Sequence, residues 1–159
     1  MRSPTQVAAL CAAVLVALWV VSGSSAAQFS RASEAGILNA MNQVRVAAGL
    51  RPLRFDGKLH AAARAHSADM IHRGYFGHGA FNRRMTGFHV HARTVGENLA
   101  WGTGPYGAAK AVVQEWLASP EHRANLLRPG YRRIGIGTAR GTFQGAGGAT
   151  VVTADFGGF

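Results

Sequence analysis

The chain has 159 residues, with seventeen Arg or Lys against seven Asp or Glu and a formal net charge of +10 with His neutral. That length sets one domain as the expectation, and the charge favours anionic partners such as cell-wall polymers, lipid headgroups or nucleic acid. No run of bases exceeds two, which argues against a dedicated nucleic-acid tail, and the lone cysteine, Cys11, excludes an intrachain disulfide.

Residues 1–27 read as a secretory signal. Arg2 supplies the positive start, and Val7 to Val21 (VAALCAAVLVALWVV) is an apolar run of 15 residues. A membrane span needs roughly 20 residues. Ser25 and Ala27 are the small residues expected just before a cut at Gln28. An uncleaved N-terminal anchor is the alternative. Cys11 lies inside the run and comes too early for a lipoprotein acceptor. The chain from 28 onward then has no thiol nucleophile and must stand on its own core. It carries sixteen basic residues, fourteen of them Arg, for a net charge of +9. Residues 28–33 are expected to form a short linker and 34–159 the domain.

Ser33 suits an N-cap with Glu34 in the first turn. Ile37, Met41, Val44 and Ala48 recur on one helical face, Gly49 ends the helix and Pro52 prevents its restart. A second helix fits Asp56 to Arg73, capped by Asp56 and stopped by Gly74, with Leu59, Ala62, Ala63, His66 and Met70 inward. Residues 75–93 read as irregular, with one helical turn near Phe81–Met85. Thr94–Trp101 (TVGENLAW) reads as extended, which puts the Glu97 carboxylate on the same face as Val95, Leu99 and Trp101. A charge drawn toward a core costs several kcal/mol unless it is paired. Gly102–Gly107 is a loop, and Ala108–Leu117 is a helix with Val112, Val113 and Trp116 inward. Ser119 and Pro120 cap and begin a short helix. Arg133–Thr138 and Thr150–Phe156 are expected strands joined by a Gly-rich loop, 140–149. The Gly-Ile-Gly of the first strand suggests close backbone approach. Helices first and a hairpin last predict an α+β layered domain.

Seven histidines fall at 60, 66, 72, 78, 89, 91 and 122. The first four are six apart, but six helical steps of about 100° put neighbours about 120° round the axis, so they cannot converge as a ligand row. His60 and His72 are expected to face solvent, and His66, on the apolar stripe, to be a hydrogen-bonded core residue. His89 and His91 are a weak metal signal. His78 is flanked by Gly77 and Gly79 after Tyr75-Phe76. His122 sits in the first turn of a helix, which disfavours imidazolium. There is no HExxH zinc motif, no GxSxG elbow, no Walker loop and no GxGxxG.

FxHG at His78, then GENLAWG, then EWxxSPxHRxNLLxPxYxxIGIG and a final TADFG, in that order, resemble the CAP superfamily of cysteine-rich secretory, antigen 5 and pathogenesis-related proteins. The similarity is to its disulfide-free bacterial secreted branch and spans about residues 34–158. It implies an α-β-α sandwich with a small antiparallel sheet, and a cleft where two His and two acidic residues converge. Carried over residue by residue, His78, Glu97 and His122 are the cleft residues, with Asn98, Ser119, Glu121 and Glu115 adjacent. The second acid does not carry over, because Ser119 stands in its place. Glu97 is therefore expected to pair with His78, His122 or both, directly or through water or metal. Two imidazoles, a carboxylate and an open position match an exchangeable zinc site. The alternative is that Glu97 accepts hydrogen bonds that lock sheet to helices.

Three functions follow from the resemblance. One is a secreted, monomeric binding module for a divalent cation, a lipid or a cell-envelope polymer. The second is a metal-dependent hydrolase of protease type, with His78 and His122 on zinc and Glu97 as base. The third is a structural or signalling role carried by the surface alone.

Overall fold

The computed structural model describes residues 30–159. The expected signal and the first two residues of the expected linker lie outside the described residues. Helix α1 runs Arg31–Ala47, strand β1 Arg54–Phe55, α2 Gly57–Arg73, α3 Phe81–Gly87 and β2 Thr94–Thr103. A single 3-10 turn, Gly104–Gly107, leads into α4 at Ala109–Ala118 and α5 at Pro120–Leu126; β3 at Arg133–Phe143 and β4 at Ala146–Gly158 end the chain. The sheet order is β1-β3-β4-β2, with β1 parallel to β3 and the other pairs antiparallel.

Side chains alternate across a strand, so each strand serves both helical layers. Ala100, Ile134, Ile136, Val152, Ala154 and Phe156 face α1, α4 and α5, joining Ile37, Met41, Val112, Trp116 and Leu126 in one core. Leu99, Val151 and Phe143 face the other way onto Met70 of α2, and Val95 packs near Leu59, Ala62 and Met85. This is the expected α-β-α sandwich.

Helix α2 is placed by its caps and by two glycines. The Asp56 carboxylate accepts from the N–H groups of Lys58 and Leu59 at 3.0 and 3.1 Å, and Gly74 closes the helix at φ 67°. Gly135 and Gly137 of β3 lie directly under it. A β-carbon at Gly135 would overlap the backbone of Leu59–His60, and one at Gly137 that of Ala63–Arg64. The GIG expectation is therefore met by a helix backbone resting on a strand backbone.

Several boundaries differ from expectation. Helix α1 starts at Arg31, with Ser30 rather than Ser33 as the capping residue, so residues 31–33 are helical, not linker. Glu34 does not merely sit in a first turn. It accepts two bonds from Arg64, at 2.8 and 2.7 Å, and one from the Thr138 N–H at 3.0 Å, closing the β3 edge beyond β1. The loop expected at 140–149 is mostly strand, because Gln144 and Gly145 at φ 49° and 79° make a two-residue hairpin turn. Strand β1 escapes periodicity because it has only two residues. His60 is half-buried rather than solvent-facing, its Nδ1 2.7 Å from the Ile136 carbonyl; His72 is exposed. Arg45 is fully buried and donates to the carbonyls of Arg51, Leu126, Arg128 and Tyr131, tying α1 to the loop before β3.

Gly137→Ala is expected to destabilise the fold by about 2–3 kcal/mol, because α2 must lift off the sheet to admit one methyl group. Urea denaturation checks this, and an unchanged midpoint would contradict the backbone contact.

Candidate functional site: a buried carboxylate cluster under an exposed histidine

Each residue of GEN has a distinct task on β2. Gly96 admits the Tyr131 hydroxyl and the Asn125 side chain, which leave no room for a β-carbon. Glu97 points to the α2 face. Asn98 points to the other face, where its Nδ2 donates to the His122 carbonyl at 2.9 Å and its Oδ1 accepts from Asn125 at 3.0 Å. Asn125 also donates to the Glu97 carbonyl at 3.2 Å. Asn98 and Asn125 thus staple α5 to the strand.

The Glu97 side chain is 2% exposed, yet it meets three basic groups. His78 Nδ1 lies 2.7 Å from Oε1, and Arg84 Nη2 donates to Oε2. His66 Nε2 lies 3.8 Å from Oε2 and 3.0 Å from the Gly77 carbonyl. Arg84 also donates to the His78 carbonyl at 3.2 Å, so it holds both members of the His78–Glu97 pair. His66 is the core histidine expected, and it also borders the cluster. Its pKa is lowered to about 4, by burial first and then by the Arg84 charge, so it is neutral near pH 7.

A second carboxylate does lie against Glu97, and it is Asp155 of the TADFG segment. The two are directly opposite in the β2–β4 register. Asp155 is fully buried, and neither of its oxygens has a hydrogen-bond partner. The nearest cation is Arg84, 3.9 Å away and already committed to Glu97. Burial, and then the Glu97 charge, hold the Asp155 carboxyl well above the usual carboxylate range. Burial raises Glu97 as well, against the pull of Arg84 and His78. Both donors lie on Glu97 and none on Asp155, so ionisation of the pair is favoured at Glu97.

The other expected site residues are placed as follows. His122 is half-buried in the first turn of α5, its Nδ1 buried without a hydrogen-bond partner. Burial lowers its pKa, opposed by Glu115, with nearby His78 adding to the lowering and Glu121 opposing it. No hydrogen bond or ion pair among the described residues joins it to Glu97. The reason is the pleat: α5 packs on the face that carries Asn98, opposite the Glu97 side chain. Glu115 and Glu121 are exposed and stand outside the carboxylate cluster. Ser119 occupies the cap position of α5, but its side chain makes no capping bond. Arg84 and Asp155 were not among the expected site residues. Asp155 had one signal, an acid inside an otherwise apolar strand; Arg84 had none beyond its place in the helical turn expected near Phe81–Met85.

Among the described residues no three His, Cys, Asp or Glu side chains gather in a way that could hold a metal ion. Glu97 is buried and held by Arg84 and His78, and the described residues gather no third donor with His78 and His122. A catalytic zinc site takes three protein ligands and a structural one four. The donor set does not fit either.

A family model described as CAP, the cysteine-rich secretory protein family, matches residues 38–156. The chain belongs to the CAP family. It is 35% identical over 119 residues to the protein YkwD of Bacillus subtilis, a match covering 72% of this chain and 45% of that one. The fold is similar to an extracellular protein with an SCP domain from Bacillus anthracis, at 27% identity and TM-score 0.68, covering 79% of this chain and 40% of that one. It is similar as well to an outer surface protein of Borrelia burgdorferi, at 18% identity and TM-score 0.70, covering 82% of this chain and 97% of that one. The chain thus spans less than half the length of the curated relative YkwD. The first of these structures is of an extracellular protein and the second of an outer surface protein. Among the described residues of this chain no helix is long and apolar enough to cross a membrane.

The two buried titrating groups have opposite signs. Asp155, with a raised folded pKa, costs nothing below its unfolded pKa, and the fold loses stability as pH rises through the folded value. Asp155→Asn should therefore raise the thermal midpoint at about pH 8, and the gain should vanish toward about pH 4. His66, with a lowered pKa, costs stability as pH falls from 6.5 to about 4. That limb is worth up to about 3 kcal/mol, and His66→Gln should flatten it in urea titrations at a series of pH values. An Asp155→Asn variant less stable at every pH would show that Asp155 is ionised.

Proposed function

We propose that this CAP domain is a secreted extracellular binding module, exported by residues 1–27, whose cleft presents the His78 imidazole to a cell-envelope ligand. The observation that carries this reading is the His78–Glu97 pair. The His78 side chain is 60% exposed while its partner carboxylate is 2% exposed. Glu97 thereby fixes the ring from below, with the proton on Nδ1, and leaves Nε2 toward solvent as an acceptor in the neutral ring and a donor only in the imidazolium. Arg84 prevents the pair from turning. A rigid base carrying one exposed polar group suits recognition.

The hydrolase alternative is less favoured by the burial of its proposed base, since the Glu97 side chain is 2% exposed and held by Arg84 and His78. A divalent cation in this cleft would have the two imidazoles as its protein donors and would exchange readily. Calorimetric titration with zinc should give a weak isotherm, and a nanomolar one would reveal a donor set beyond His78 and His122.

His78→Ala should leave folding intact and abolish cosedimentation of the protein with purified cell-wall sacculi. Glu97→Gln should destabilise by about 3 kcal/mol, because Arg84 is left buried beside a neutral amide. Undiminished cosedimentation of a folded His78→Ala variant would refute the binding role of this residue. Peptide hydrolysis by the wild type that is lost in Glu97→Gln without loss of stability would restore Glu97 as a base.

A further inference from the structure

Behind the His78–Glu97 pair lies a groove of about 510 Å³ between α2 and α3. Its floor is His66, Tyr75 and Arg84; Arg73 and Asp69 come from the α2 wall, Arg83 and Phe88 from the α3 side. Three guanidiniums and one carboxylate therefore line one cavity. Asp69 is shared: it accepts from the Tyr75 hydroxyl at 2.7 Å and lies 3.5 Å from a single Arg73 nitrogen. Arg84 is committed to Glu97. Arg83 makes no ion pair among the described residues. Gly79 keeps the floor open. At φ 57° its missing β-carbon would sit 3.4 Å from the Tyr75 hydroxyl and 3.6 Å from the His66 ring.

We propose that this groove binds a phosphate ester, with Arg73 and Arg83 closing on the phosphoryl oxygens from the two walls. Two guanidiniums on facing elements favour this chemistry over a carboxylate. A carboxylate is planar and is satisfied by the fork of one arginine, whereas tetrahedral phosphate oxygens reach partners on both sides. The cavity is far larger than a bare ion, so the phosphate belongs to a larger molecule. Phe88 supplies apolar surface for what it carries, and the Tyr75 ring supports the Arg73 guanidinium, which lies 5.2 Å from its centroid. The inference rests on the reading of the domain as a binding module and names a ligand class for it. It uses the groove and not the His78 imidazole.

The shared chemistry has two sources, a soluble phosphate ester and an anionic lipid headgroup. The test titrates the protein with glycerol 3-phosphate by calorimetry and measures cosedimentation with phosphatidylglycerol vesicles, comparing wild type with Arg83→Glu. Arg140→Glu, a charge reversal at an exposed strand residue outside the groove, is the control for net charge. Saturable glycerol phosphate binding weakened at least tenfold by Arg83→Glu and kept by Arg140→Glu supports the groove with a soluble ligand. The same pattern with vesicles alone supports it with a headgroup. Equal loss in both variants reduces the binding to bulk charge and overturns the proposal. Absence of wild-type binding to either probe overturns it too, without touching the sacculus result for His78. Circular dichroism of Arg83→Glu establishes folding, and Arg83→Gln, which keeps most of the side chain's length without its charge, must weaken binding in the same direction.

Discussion

A carboxylate held in the interior of a small sheet imposes conditions on everything around it. Burying an uncompensated charge costs several kcal/mol, so donors must be brought to it from elsewhere in the chain. At Glu97 those donors come from two separate segments, His78 from the loop after α2 and Arg84 from α3, while His66 of α2 borders the carboxylate at 3.8 Å. Helix α3 has seven residues and one buried side chain, too little to stand on its own packing. Its Arg84 bond to Glu97 adds to the packing of Met85 and Phe81 against Leu59 and Ala62. Asp155 adds a second carboxyl with no donor of its own, and burial beside Glu97 holds its pKa well above the usual carboxylate range.

Strand β2 is the edge strand, yet it joins both helical layers through adjacent residues. Glu97 reaches the α2–α3 side, and Asn98 reaches the α5 side. The staple from Asn98 and Asn125 fixes α5, while Trp116 of α4 donates to the Leu99 carbonyl at 2.9 Å. Gly96 allows Tyr131 to close over the strand, where it stacks on Phe156 with centroids 5.2 Å apart. The shape of the cleft follows from this, because the position of His78 relative to His122 depends on both faces of one strand.

The large excess of arginine divides into two populations. Arg45, Arg64 and Arg84 are internal, each spent on carbonyls or a buried carboxylate. They stitch α1 to the loop before β3, α2 to α1, and α3 to β2. For a domain without disulfides such multidentate guanidinium links supply cross-connections that a cystine would supply elsewhere. The other described arginines are exposed, and Arg73 and Arg83 gather at the groove beside the site. The net charge of +10 therefore overstates the uncompensated surface and understates how locally the surplus is arranged.

Periodicity by itself determined the two long helices, with the cap right for α2 and three residues late for α1, and local signals determined the break at Ser119-Pro120, the extended GEN segment and the close approach at Gly135 and Gly137. Each is a local property, written in spacing or in a residue whose conformation is restricted. The motif order carried the family. What only the tertiary structure decided lies across distance. The opposition of Glu97 and Asp155 depends on a β2–β4 register linking residues far apart in the chain, and no local window of sequence contains both. Arg84 stood in a stretch with no periodic signal, and its role exists only because a carboxylate lies beneath it. His122 and Glu97 look equivalent as motif residues. The alternation of side chains along a pleated strand puts Glu97 opposite the face on which α5 packs, and a sequence states that alternation without saying which layer each face will meet.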